Sequence, residues 1–187
     1  MDDGRWTQPL SLEGLAQLTA EWLEGSVEGG PWNGGSSPDS ETAPLVQYLS
    51  AINRLGYLTE FSQPGVPDSQ RASVAGFCER SQGECLASLS LSSDLVVVSE
   101  YPGVEATYEV PITQDQGQTF TILAGRPILD LSCGFHPRTL SALSNCLYVS
   151  IVDPCWGRND LLWTSVIAAL KRDPAECTGS LIDPANF

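Results

Sequence analysis

The stretch from Ala43 to Phe77, "APLVQYLSAINRLGYLTEFSQPGVPDSQRASVAGF", sets the strongest limit on the fold. Leu45, Val46, Leu49, Ile52 and Leu55 recur at helical spacing from a start near Thr42. Pro44 is tolerated in the first turn, and Gly56 stands where a left-handed residue closes the helix. Tyr57, Leu58, Thr59 and Phe61 then favour extended backbone, "SQPGVPDSQ" turns, and "RASVAGF" alternates like a second strand. A chain that passes so quickly from helix to strand to strand calls for a sheet with helices laid against it.

The rest of the chain repeats those elements. In "SLEGLAQLTAEWLEG", Ser11 caps a helix, Leu12, Leu15, Ala16, Leu18, Trp22 and Leu23 form its apolar face, and Gly25 stops it. Residues 26–40, "SVEGGPWNGGSSPDS", are too rich in Gly, Pro and Ser for regular structure. They predict a flexible loop, a lid or a connection, with Trp32 as its large apolar anchor. Downstream, "SQGECLASLSLSS" reads as a short helix and "DLVVVSEY" as a buried strand. "ATYEVPI" and "QTFTILA" read as strands joined through "TQDQG", with Pro111 arguing for an edge position. "CLYVSIVD" is a second buried strand, and "NDLLWTSVIAALKRDP" a terminal helix capped by Asn159. The expected architecture is α+β or mixed α/β: one domain over residues 1–187, with about six strands in a mixed sheet and helices packed against it.

Charge narrows the function. Nine basic residues against 23 acidic ones give a net charge of −14, which argues against gripping a phosphate backbone, so no direct nucleic-acid binding is expected. A surface this acidic can occupy the basic site of a protein partner, as an inhibitor would, and it also serves plain solubility. Cys78, Cys85, Cys133, Cys146, Cys155 and Cys177 contain no Cys-x-x-Cys spacing, so no metal site is expected. Without a basic leader, a secretory signal or a membrane-spanning apolar run, the chain reads as cytoplasmic with reduced thiols, although six cysteines would allow three disulfides after export. No Gly-rich phosphate loop, Gly-x-Ser-x-Gly elbow or His-Glu-x-x-His helix is present, and no cofactor is expected.

Three constellations could carry chemistry. Between the two strands of the opening segment, Thr59, Ser62, Gln63, Gln70 and Arg71 concentrate hydroxyls, amides and one guanidinium. Such a set suits a polar, nucleotide-like small molecule, with Arg71 as a bidentate partner for a carboxylate or phosphate. The plainer account has Ser62 and Gln63 satisfying the Pro64-Gly65 turn and Arg71 pairing with Glu79 or another acid. In "IVDPCWGRND", Asp153 ends a strand and Arg158 precedes a helix, so Arg158 joins the ligand-binding candidates; an Asx turn at Asp153 is the simpler reading. His136 is the single histidine, and a hydrolase or transferase would draw on it, on Asp153 or on a cysteine such as Cys133, Cys146 or Cys155.

The segments "LTAEWLEG", "APLVQYLSAINRLGYLTEFSQPG", "QRASVAGF" and "DPCWGRNDLLW" resemble an uncharacterised family of small proteins from high-GC, actinomycete-type bacteria, a domain of unknown function. The resemblance covers most of the chain apart from the middle strands and the tail. It implies one intact domain, draws attention to Ser62-Gln63-Pro64 and Trp156-Gly157-Arg158, and brings no activity with it. The expectation is therefore a small acidic protein holding a polar molecule. The alternatives are an inhibitor of a basic protein partner and an enzyme of unknown substrate.

Overall fold

The computed structural model describes residues 4–32, 37–105, 108–127, 129 and 134–177. Along the chain come α1 (Leu12–Leu23), a 3-10 turn at Ala43–Leu45, α2 (Val46–Arg54), β1 (Leu58–Gln63), β2 (Arg71–Cys78), α3 (Arg80–Ala87) and α4 (Leu89–Ser92). They are followed by β3 (Val96–Glu100), β4 (Val110–Asp115), β5 (Gln118–Leu123), α5 (Pro137–Ser144), β6 (Leu147–Trp156), α6 (Asp160–Leu170) and α7 (Pro174–Cys177). Residues 33–36 of the expected loop, residues 106–107 of "ATYEVPI", and Cys133 lie outside the described residues.

The six expected strands are present in an α+β fold, divided four and two. One sheet has the order β1-β2-β6-β3, and β4 pairs with β5 in a hairpin. The sequence suggested a mixed sheet, but every strand pair among the described residues is antiparallel. Parallel neighbours need a crossover that returns the chain to the same end, and none of these connections places consecutive partners that way. The near-continuous apolar run "LYVSIV" suits the centre of a sheet covered on both faces, where β6 sits between β2 and β3.

Strand alternation divides the interior into two cores. Ala72, Val74 and Cys78 of β2 and Val149 and Ile151 of β6 face Leu49 and Ile52 of α2, Leu86 of α3, and Leu162, Trp163 and Val166 of α6. On the opposite face, Ala75, Phe77 and Tyr148 meet Leu15 and Leu18 of α1 and Leu140 and Leu143 of α5. Helix α1 wraps the β1 edge, because its Leu23 belongs to the first core and its upstream leucines to the second. Ser11 caps α1 by accepting from the Gly14 N–H at 3.1 Å, and Gly25 and Gly56 take the left-handed conformation that their stop positions require, with φ 75° and 89°.

Several expectations shift. β3, expected to be a buried strand, is an outer strand of the sheet opposite β1: Val97 packs on the first core while Val96 is exposed. A triple-Val run carries no alternation that would reveal a one-sided position. Helix α5 has no counterpart in the sequence reading; His136, set between the buried Phe135 and Pro137, caps it by accepting the Arg138 N–H on Nδ1 at 3.1 Å. Asn159 does not cap α6 through its side chain; it clamps the backbone of Gly65, accepting its N–H at 2.7 Å and donating to its carbonyl at 2.6 Å. The thiols are not all reduced, for Cys85 and Cys177 form a disulfide. No helix among the described residues is long and apolar enough to cross a membrane.

Candidate functional site

β1 is an outer strand, and its pairing with β2 slips between Thr59 and Phe61, leaving Glu60 as an extra residue. A bulge of this kind bends the strand and re-aims its side chains. Here it opens a cleft of about 370 Å³ along the strand from Thr59 to Gln63. Thr19, Trp22 and Leu23 at the end of α1 form one wall and Leu49 of α2 the base, while Pro31, Trp32, Pro38, Asp39, Glu41 and Thr42 close the far side. The volume falls within the range of small-molecule sites.

The wall is held in place by packing and charge. Trp32 has a φ of 57°, an unusual conformation for a bulky residue. It is kept there by stacking on Phe77 at 5.7 Å and by an edge contact with Phe135 at 4.8 Å. Arg126 lies 5.9 Å over the same indole and grips Glu60 with two contacts of 2.8 Å. Burial, and then the Glu60 carboxylate, push the Tyr148 phenol well above its ordinary range, so it stays protonated behind this ion pair. Backbone and side-chain hydrogen bonds from Thr42 hold the Asp39 carboxyl below its usual value, and Glu41 accepts from Gln70 Nε2 at 2.8 Å. The carboxylates around the cleft are therefore held in place, Glu60 by the Arg126 ion pair, Glu41 by Gln70 and Asp39 by Thr42. Among the described residues, two polar groups of the lining residues are not satisfied: the indole N–H groups of Trp22 and Trp32 are buried without a hydrogen-bond partner.

The candidate residues separate. Thr59, Ser62 and Gln63 line the cleft. The Thr59 hydroxyl accepts from Asn53 Nδ2 at 2.8 Å, so it is largely committed to the α2–β1 junction. Gln63 donates from Nε2 to the carbonyls of Arg71 and Ile112, both at 2.8 Å, and so joins the sheet to β4. Gln63→Ala leaves both carbonyls without that donor and should lower the unfolding free energy by about 2 kcal/mol in a denaturant titration. Gln70 reaches the cleft only through Glu41.

Arg71 and Arg158 lie elsewhere. Arg71 stacks on Trp156 at 4.3 Å and donates to the Pro111 carbonyl at 2.8 Å, Glu79 is not its partner, and its Nε is buried without a hydrogen-bond partner among the described residues. Arg158 donates to the buried Asp153 at 2.6 Å, and Asp153 also accepts the Cys155 N–H at 2.9 Å, making the Asx turn. His136 and Asp153 thus serve local structure. The residues that sequence reasoning did not assign to the site are Trp22, Asp39, Glu41 and Glu60, with Trp32 recognised only as an anchor. The one local signal was a large aromatic residue inside a Gly- and Pro-rich loop.

The fold and cleft define a small α+β domain with a polar groove at the edge of an antiparallel sheet. The family model described as "Domain of unknown function (DUF6919)" matches residues 1–173, and the chain belongs to that family. No curated protein matches the chain.

Proposed function

We propose that this is a binding protein whose β1-edge cleft takes a small polar molecule, uncharged or cationic at the end that enters the groove. The observation that carries the reading is the pair of unpartnered indole N–H groups, Trp22 and Trp32, in the walls of one cleft that also holds the Ser62 hydroxyl. A buried donor without an acceptor costs roughly 1–3 kcal/mol, which a ligand oxygen accepted after a small ring rotation would recover. Flat aromatic walls beside fixed acceptors suit a sugar or nucleoside face.

Charge sets the limit on that ligand. Asp39, Glu41 and Glu60 surround the groove, and a phosphate 4 Å from one of them meets about 1–4 kcal/mol of repulsion as the surroundings change from water to protein surface. The nucleotide-like ligand expected from the sequence is thereby narrowed to its unphosphorylated part, with Arg71 and Arg158 outside the site. The cytoplasmic location belongs with this reading, and it sets a condition: in a reducing compartment Cys85 and Cys177 would be held as thiols.

Native mass spectrometry and indole fluorescence against paired probes test the proposal, each sugar, nucleoside or amine being offered alongside its phosphorylated form. The unphosphorylated member should bind at least about tenfold more tightly. Ser62→Trp, which fills the groove from the strand, should abolish binding. A bare protein across the panel, or binding indifferent to Ser62→Trp, would overturn the reading.

A further inference from the structure

Of the strands, β5 is the one left unprotected. β1 carries Glu60, β3 Glu100 and β4 Asp115, whereas residues 116–125, "QGQTFTILAG", contain no charge at all in a chain with 23 acidic residues. Charged side chains are a usual means of keeping a strand edge from pairing with another chain. Among the described residues β5 pairs only with β4, and β4 is bonded on its other side to the body, through the Gln70–Thr113 bridge and the Gln114 N–H donating to the Ser69 carbonyl at 2.8 Å. β5 is therefore the outermost strand of a two-stranded hairpin, and such a hairpin is marginal in water by itself.

Its side chains follow the same pattern. Phe120 is 70% exposed and Ile122 43%, and neither residue lines the cleft. Phe120 is the extra residue where the β4–β5 register slips, and that bulge turns its ring outward. The Gly103 N–H donates to the Arg126 carbonyl at 2.8 Å and brings the turn bearing the exposed Tyr101 and Val104 beside the chain that leaves β5.

We infer that β5 is the interface through which two copies of this chain associate, antiparallel about a two-fold axis, so that the two hairpins make one four-stranded sheet. This rests on β5 alone and is independent of the ligand reading. The occupant follows from charge. A basic partner would be drawn to the acidic surface, and a neutral strip offers it nothing, whereas for a second copy bearing −14 the neutral strip is where approach meets least repulsion. An antiparallel arrangement also sets the two Asp115 turns a strand length apart, roughly 20 Å for six residues. That exceeds the Debye length of about 8 Å at physiological salt, so their repulsion is screened. A two-fold contact buries Phe120 and Ile122 of both copies against each other and satisfies outward backbone groups reciprocally. Its small area places it among the weaker, concentration-dependent interfaces.

Sedimentation velocity of the full chain from micromolar to near-millimolar concentration tests the inference. The mass should rise from 20.1 kDa toward twice that value as concentration increases. Raising the salt should strengthen association severalfold, because screening relieves repulsion between like-charged copies. The double variant Phe120→Asp, Ile122→Asp changes exposed positions only; with its circular dichroism and melting unchanged, it should weaken self-association at least about tenfold. A chain that stays at 20.1 kDa throughout, an association that salt weakens, or a double variant that associates as before would each overturn the assignment.

Discussion

Reducing the Cys85–Cys177 disulfide should produce a large fall in stability. The two cysteines are 92 residues apart, and in the chain-entropy account closing a loop of that size removes about 4–5 kcal/mol of freedom from the unfolded chain, with measured effects more often near 2–4. At about 2–4 °C per kcal/mol for a chain of this length, the melting temperature should drop by about 5–15 °C. The bond fastens α7 to α3, and both sulfurs lie in buried residues, so reduction should proceed slowly without denaturant. Exchange with the interior thiols is suppressed: burial pushes Cys146 up to about 11 and Cys78 higher still, which leaves little thiolate at neutral pH. Thermal melts with and without a phosphine reductant, beside Cys177→Ser, measure the effect. Cys177→Ser should melt like the reduced protein and ignore reductant, while Cys155→Ser, at an exposed free thiol, should melt like wild type. Peptide mapping that finds Cys85 and Cys177 unlinked in the native protein, or a melt indifferent to reductant, would remove this account.

The fold was readable in sequence wherever one periodicity ran long enough to dominate. α1, α2 and α6 have apolar positions at helical spacing, with Ser11 and Gly25 at the ends of α1 and Gly56 closing α2, and β6 has an apolar run that suits a central strand. What escaped had short or ambiguous signals. α5 spans only eight residues and is capped by a histidine, outside the usual Ser, Thr, Asp and Asn set. The Val run of β3 fits a central strand as well as an outer one. The disulfide joins residues whose proximity is set entirely by how α7 folds back on α3, and no spacing rule conveys that.

The cleft was half legible for a related reason. Thr59, Ser62 and Gln63 were found because they share a strand, and composition alone drew Gln70 and Arg71 in with them. Gln70 and Arg71 follow the turn onto β2, one strand in from the β1 edge that bears the groove. Arg71 stacks on Trp156, while the groove is completed by residues from a helix end and a loop. Contacts of that range depend on tertiary packing, which a local polar cluster cannot report.

Gly76→Ala should destabilise the protein by about 3 kcal/mol or more, at the upper end of what overpacking costs. A Cβ on Gly76 would stand 2.0 Å from the Leu58 carbonyl oxygen and 2.9 Å from the Leu58 carbonyl carbon and the Thr59 Cα. All three are backbone atoms of β1, so no rotamer change relieves the clash, and the strand itself has to back away. Gly76 pairs with Thr59, immediately before the Glu60 bulge, so this displacement breaks the register that shapes the groove. The variant should lose ligand binding and β1–β2 hydrogen-exchange protection together, ahead of the β6 centre. Gly117→Ala separates this steric cause from a conformational one. Its φ is 81° and nothing lies within 4 Å of its would-be Cβ, so the change should cost about 1 kcal/mol through backbone strain at the hairpin turn and leave the groove intact. Equal effects at the two glycines would mean that close approach of β1 to β2 is not what requires glycine at position 76, and that the groove's floor tolerates a wider spacing than this geometry has.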